Sequence, residues 1–323
     1  MALALILLIA GVALLYFGGE VLVANAVRLA RFFGLSSLVI GLTVVAFATS
    51  APELFASLVA LREGSPGIAV GNVLGSNIAN IALILGVAAL VRPLAGKAQF
   101  LVREIPMLTA VSITPFLALW DGVIVWWEGA VLFVALLVYI GFLLRSKEAP
   151  GVVDQFEEEY SGEEEEAAGP QRSVWFSLGG VVLGLGLLVL GADLMVDGAV
   201  TIARALGVSE RVIGLTMVAF GTSLPELASS MVAARRREGD IVLGNVVGSN
   251  IFNVLCVLGL TSIFYPIPLP LESVLGDLWV GLALSVAMVP LLLVGRRLYL
   301  GRWEGVLLVV TYLVYVVVLF IQG

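Results

Sequence analysis

The segment Ala46-Phe47-Ala48-Thr49-Ser50-Ala51-Pro52-Glu53 returns 173 residues later as Ala219-Phe220-Gly221-Thr222-Ser223-Leu224-Pro225-Glu226. Each copy is followed at the same spacing by Gly-Asn-Val-x-Gly-Ser-Asn-Ile-x-Asn, ending at Asn80 and at Asn253. Both copies lie in apolar stretches long enough to cross a bilayer. A carboxylate beside a helix-breaking proline is costly at membrane depth, and lipid-facing packing alone does not select it twice. The pattern points to a cation site built from two halves.

The duplication extends beyond the motif. Gly34 to Gly86 aligns with Gly207 to Gly259 without a gap, and about thirty of the fifty-three pairs are identical. Upstream the likeness weakens, with Gly18-Gly19-Glu20 facing Gly191-Ala192-Asp193. Two related halves therefore make up the chain. With 60% hydrophobic residues, 13% charged residues and a mean hydropathy of +1.10, it reads as a polytopic helical membrane protein. Cys256 is alone, so no intrachain disulfide forms, and without histidine any proton chemistry falls to carboxylates. Nine acids between Glu148 and Glu166 dominate the net charge of -7; outside that stretch acids and bases nearly balance.

Hydrophobic windows give ten spans near 3–27, 36–61, 66–91, 104–119, 123–144, 174–203, 209–233, 240–264, 274–294 and 303–321. The expected fold is all-α, with ten transmembrane helices arranged as two inverted five-helix repeats and broken helices at the ion site. The first repeat covers 1–145, an acidic linker 146–173, and the second repeat 174–323. Five spans on each side of the linker place the halves in opposite orientation, the architecture of secondary transporters. With the N-terminus outside, fourteen of the seventeen Lys and Arg fall on the cytoplasmic side, leaving Arg62, Arg204 and Arg211 on the other. The positive-inside rule thus places both termini outside and the acidic loop in the cytoplasm of a cell-membrane protein. Met1 to Phe17 lacks a basic n-region and runs on into apolar sequence, so it reads as a retained first helix.

The prolines indicate how a cation is held. Pro52 has no amide hydrogen and crowds the carbonyl of Ala48, as Pro225 does that of Gly221. Carbonyls near Ala46 to Thr49 and Ala219 to Thr222 are then expected to lack helical partners. Thr49, Ser50, Thr222 and Ser223 add hydroxyls, and Glu53 or Glu226 projects one turn on from its threonine. The second element supplies Ser76 and Asn80, or Ser249 and Asn253, at i and i+4. Two carboxylates, two amides, hydroxyls and carbonyls make a hard oxygen cage suited to calcium or sodium. Gly71, Gly75, Gly244 and Gly248 read as close-packing positions rather than ligands.

The paired G-T-S-x-P-E and G-S-N-I-x-N segments resemble the two alpha-repeats of the cation/calcium exchanger superfamily, and most of all its prokaryotic sodium/calcium exchangers. The resemblance implies ten helices, with the first and sixth sliding across a core that holds four cation positions between the second, third, seventh and eighth. It implies that Glu53 and Glu226 are central ligands shared by Ca²⁺ and Na⁺, with the Thr49 and Thr222 carbonyls completing the calcium position. Asn80 and Asn253 fall at the middle position. Ser50 and Ser249 with the Ala46 carbonyl form one flanking sodium position, and Ser223 and Ser76 with the Ala219 carbonyl the other. Two departures stand out: Ala48 where the family usually has Gly, expected to cost a little backbone freedom, and Asn253 where some relatives carry Asp.

Two carboxylates neutralise one Ca²⁺, or two Na⁺ with a third held by neutral oxygens. The expected activity is therefore antiport of Na⁺ against Ca²⁺, with H⁺/Ca²⁺ exchange, potassium co-transport and a cation channel as the other transport readings. An intramembrane hydrolase fits poorly, because the chain offers no histidine and no lysine within the candidate cavity. No cofactor, nucleic acid or obligatory protein partner is expected beyond the transported ions and the lipid bilayer. Glu157 to Glu166 reads as a solvated linker rather than a calcium loop. Glu20 and Asp193 line an ion path or support a helix contact. The glycines at 179, 180, 184, 186 and 191 favour sliding or static packing, and Arg235-Arg236-Arg237 reads as a topology anchor.

Overall fold

A computed structural model describes residues 2–145, 174–205, 219–293 and 298–322. The described membrane-crossing elements are α1 (Ala2–Phe33), α2 (Ser37–Arg62), α3 (Pro66–Val91), α4 (Phe100–Ala118), α5 (Trp126–Arg145), α6 (Val174–Ala205), α7 (described from Ala219, with Leu224–Arg235 as its longer segment), α8 (Gly239–Phe264), α9 (Leu275–Leu293) and α10 (Arg302–Gln322). Among the described residues nine helices are long and apolar enough to cross a membrane. The seventh expected span begins at 209, and its first part lies outside the described residues, as does the acidic linker.

Two expected ends move. The first helix continues from 27 to Phe33, because Arg28 and Arg31 charge the helix without breaking it. Gly34 stops it: at φ +61° it adopts the left-handed conformation, and the Leu35 amide reaches back to the Ala30 carbonyl at 2.9 Å. The fifth begins at Trp126 rather than near 123, since Val123–Ile124 form a two-residue strand. That strand pairs antiparallel with Ile267–Pro268, and Leu94–Ala95 pairs likewise with Tyr299–Leu300. Each ribbon ties a connection of the first half to one of the second, while the described parts of the spans themselves are helical.

The layers follow from burial. Every residue in the apolar window of α8 is buried, and α2 and α3 are mostly so, whereas α1, α5, α6 and α10 turn most of theirs outward. A helix apolar on all sides belongs inside or against lipid, and here both cases occur. α8 crosses α2 at backbone distance. A Cβ on Gly244 would stand 2.7 Å from the Leu38 carbonyl oxygen and 2.9 Å from the Leu42 nitrogen. One on Gly248 would meet the Ala46 Cβ at 2.7 Å. The close-packing expectation therefore holds for these two glycines but fails for Gly71 and Gly75, where an added Cβ would meet no described atom within 4 Å. Where α4 and α9 meet, the repeat-related Ser112 and Ser285 hydroxyls lie 3.0 Å apart.

Helices α1 and α6 form a second glycine-lined pair. Gly11 packs on Gly191 and Met195, Gly18 on Gly184 and Leu188, and Gly198 on Ala4 and Leu8. Gly180, Gly184 and Gly191 thus face α1 rather than the core. The pair rests on α7 through Gly19 against Val232 and through an ion pair between Glu20 and Arg236. The Arg235 guanidinium lies 6.0 Å from the centre of the Tyr16 ring. Glu20 therefore serves a helix contact, and Arg235 and Arg236 hold α1 in place; Asp193 is exposed.

Candidate cation site

In both copies of the motif the helix breaks and restarts. In α2 the break falls at Ser50, with φ -82° and ψ 1°, and a new helical segment begins at Ala51 with Pro52 in its first turn. In α7 the same conformation occurs at Ser223, and the new segment begins at Leu224. The Ala46 carbonyl is not freed by this break, contrary to expectation: it accepts the Ser50 amide at 2.9 Å. The reason is register, since the missing Pro52 amide would have served residue 48. The restart has a second effect. It creates a helix N-terminus inside the membrane, and Glu53 and Glu226 stand in the first turn of the new segments. The partial positive charge there favours a carboxylate.

Wide π-helical turns mark the other elements. In α3 the Leu85 amide reaches back to Asn80, and in α8 a π turn runs over Asn253–Leu258. A third precedes the motif in α2, where the Ala46 amide reaches Gly41. Such turns are frequent at functional sites.

These elements bring the expected residues together. Glu53, Glu226, Thr49, Ser50, Ser76, Ser223, Ser249, Asn80 and Asn253 are all buried. Ser223 and Ser76, from α7 and α3, donate to Glu53 Oε1 at 3.4 and 3.5 Å, and their own hydroxyl oxygens stand 3.2 Å apart. These carboxylate contacts exceed the usual hydroxyl–carboxylate distance of about 2.6 Å. Thr49 and Ser249 hydroxyls from α2 and α8 stand 3.4 Å apart. Thr222 is half-buried, and Ala219 opens the short helical turn Ala219–Thr222.

Among the described residues, the buried side-chain oxygens without a hydrogen-bond partner are Ser50 Oγ, Glu53 Oε2, Asn80 Oδ1, both carboxylate oxygens of Glu226, and Asn253 Oδ1. Every one belongs to a residue expected from sequence to bind a cation. A buried polar atom left unpaired costs about 1–3 kcal/mol, more when charged, so six together in one region mark it as a candidate ligand site. Carboxylate, amide and hydroxyl oxygens suit a hard ion such as Ca²⁺ or Na⁺.

Sequence reading missed the asparagines behind this shell. Asn245 Oδ1 accepts the Thr49 hydroxyl at 3.1 Å, and Asn72 Oδ1 accepts that of Thr222 at 3.3 Å. Asn72 Nδ2 donates to the Glu53 carbonyl at 3.1 Å and to Ser57 at 3.0 Å, while Asn245 Nδ2 donates to Ser230 at 3.0 Å. Their signal was in plain view, because Asn72 and Asn245 occupy the same place in the repeated motif. The departure at Ala48 also gains a different reason. A Cβ on its counterpart Gly221 would stand 2.7 Å from the Val196 side chain of α6, so smallness there also makes room for that helix.

Comparison with known proteins follows the same lines. The family model described as sodium/calcium exchanger protein matches residues 3–145 and 176–321. The inner membrane protein YrbG of Escherichia coli is 38% identical over 99% of this chain and 98% of its own. The sodium/calcium exchanger MaX1 of Methanosarcina acetivorans is 33% identical over 98% of each chain. Among solved structures, the sodium-calcium exchanger NCX_Mj soaked with zero Na⁺ and Ca²⁺ superposes with a TM-score of 0.83 at 35% identity, covering 98% of this chain and 99% of that one.

Proposed function

The chain belongs to the sodium/calcium exchanger family, and from that premise we propose that it is an antiporter admitting Na⁺ and expelling Ca²⁺ by alternating access across the cell membrane. The observation that carries the reading is the coincidence of the unpaired buried oxygens with Glu53, Glu226, Asn80, Asn253 and Ser50. In this reading Glu53 and Glu226 hold Ca²⁺ with the Thr49 and Thr222 carbonyls. Ser50, Ser249 and the Ala46 carbonyl take one flanking Na⁺, and Ser76, Ser223 and the Ala219 carbonyl the other. The Ala46 carbonyl contributes its second lone pair, the first being engaged by Ser50. Asn80 and Asn253 complete the middle.

Charge supports exchange rather than leak. A site of charge -2 is neutralised by one Ca²⁺ or by two Na⁺, with a third on neutral oxygens. Without a cation the two buried carboxylates are stranded in low dielectric, which opposes return of the bare site. Three Na⁺ against one Ca²⁺ moves one charge per cycle, worth about 2.3 kcal/mol per 100 mV. The two five-helix repeats, 1–145 and 174–323, supply inverted halves of one site, and the linker 146–173 joins them in the cytoplasm with both termini outside. The chemistry needs no covalent step, cofactor or second protein.

The two free oxygens of Glu226 would also accept a proton, which keeps H⁺/Ca²⁺ exchange as the competing reading. Calcium uptake into proteoliposomes under separately imposed Na⁺, K⁺ and pH gradients decides between them. An outward Na⁺ gradient is expected to drive uptake, with K⁺ gradients inert. Uptake driven by a pH gradient in sodium-free buffer would select the proton reading, and single-channel currents would overturn antiport altogether.

A further inference from the structure

Behind Asn80 and Asn253 stands a second pair, Asn77 and Asn250, whose side chains are buried and bond across α3 and α8. Asn250 Nδ2 donates to the backbone carbonyl of Asn77 at 3.1 Å, and Asn77 Nδ2 donates to that of Asn250 at 3.3 Å. Asn250 Oδ1 then accepts Asn80 Nδ2 at 2.9 Å, and Asn77 Oδ1 accepts Asn253 Nδ2 at 3.0 Å. The order of these bonds matters. A backbone carbonyl only accepts, so it fixes which end of the first amide faces it. The first amide therefore offers its oxygen onward, and the second must answer with its NH₂. What remains is Oδ1 of Asn80 and of Asn253, the two buried amide oxygens left without a partner among the described residues.

We infer that Asn77 and Asn250 are positioning residues that set the polarity of the cation site, each turning the amide oxygen of the opposite repeat's asparagine, Asn253 and Asn80 respectively, toward the ion. An unbraced amide rotates freely by half a turn, and the wrong face presents an NH₂ group to a cation. The residue type follows from the task. Aspartate has no donor for the backbone carbonyl, and an aliphatic side chain has neither donor nor acceptor. The π turns beginning at Asn80 and Asn253 put each amide one turn from its brace on the neighbouring helix. The crossing also links the two halves, since each half orients a ligand supplied by the other. The inference rests on the cation reading of the site but not on which ion drives exchange.

A crossed substitution experiment tests it, with Ca²⁺ binding to the purified full-length protein read by isothermal titration. Asn77→Ala is expected to weaken Ca²⁺ binding about 10–100-fold, the usual effect of losing an outer-shell partner. In the Asn253→Asp background the same change should cost less than about threefold relative to Asn253→Asp alone, because both ends of a carboxylate are oxygen. In the Asn80→Asp background it should keep its full effect. Asn250→Ala should show the mirror pattern, relieved by Asn80→Asp and not by Asn253→Asp. Equal losses in every background would mean that the asparagines only pack α3 against α8, and would overturn the inference. If Asn77→Ala is not recovered folded, the Asn250 set makes the same comparison. Wild-type protein that binds Ca²⁺ without exchanging it would overturn the antiport reading alone, whereas wild type that binds neither Ca²⁺ nor Na⁺ would overturn both.

Discussion

Glu226→Gln is expected to weaken Ca²⁺ binding by at least about a hundredfold and to abolish Ca²⁺ transport. Both carboxylate oxygens of Glu226 are buried and without a partner among the described residues, whereas one oxygen of Glu53 is held by Ser76 and Ser223. The glutamine keeps the shape and removes one of the two ligand charges. Removing one partner of a buried ion pair costs about 3–5 kcal/mol, and about 1.4 kcal/mol is a factor of ten. The substitution also carries a prediction of opposite sign. In cation-free buffer a buried unpaired carboxylate destabilises the fold, so Glu226→Gln should melt at or above the wild-type temperature while losing the stabilisation that Ca²⁺ gives. A structural role for Glu226 would instead lower the melting temperature in every buffer. Thermal unfolding with and without Ca²⁺ separates the two.

Gly244→Val is expected to have the largest effect on the fold. The added Cβ would stand 2.7 Å from the Leu38 oxygen and 2.9 Å from the Leu42 nitrogen, which are backbone atoms with no rotamer to change. Overpacking of this kind costs about 3 kcal/mol, a melting-temperature loss of roughly 4 °C or more for a chain of this length. The site should fail with it. Pushing α8 away from α2 separates Thr49 from Asn245 and Ser249, now 3.1 and 3.4 Å away. Gly276→Ala is the matching control, because no described atom lies within 4 Å of its would-be Cβ. It should change the melting temperature by less than about 2 °C.

The duplicated Pro-Glu segment made the fold class and the site legible because its chemistry is unusual in a membrane. Proline, carboxylate and small polar residues at fixed spacing leave few alternatives, and every side chain named from them as a candidate ligand is buried apart from the half-buried Thr222. Other features left no mark in sequence. π turns have no residue signature, so those at Asn80 and Asn253 were invisible, although they set where the amides point. Helix ends were misjudged where charge was taken as a stop: Arg28 and Arg31 stay helical, and Gly34 with its positive φ ends α1. Asn77 and Asn250 were visible as letters of the motif, but not as braces. Which asparagine faces an ion and which faces another asparagine depends on how α3 and α8 cross. The same holds for Gly221, whose smallness answers to Val196 on a helix far away in sequence.

The central claim is that one cation site is shared by Glu53 and Glu226. Anomalous diffraction from crystals soaked in Sr²⁺ tests it directly, since Sr²⁺ is a heavier divalent ion that takes oxygen ligands as Ca²⁺ does. A single strong peak within about 2.4–2.8 Å of both carboxylates, absent from Glu226→Gln crystals, is the expected result. Peaks that touch only one glutamate, or a peak that survives the substitution unchanged, would contradict the shared site.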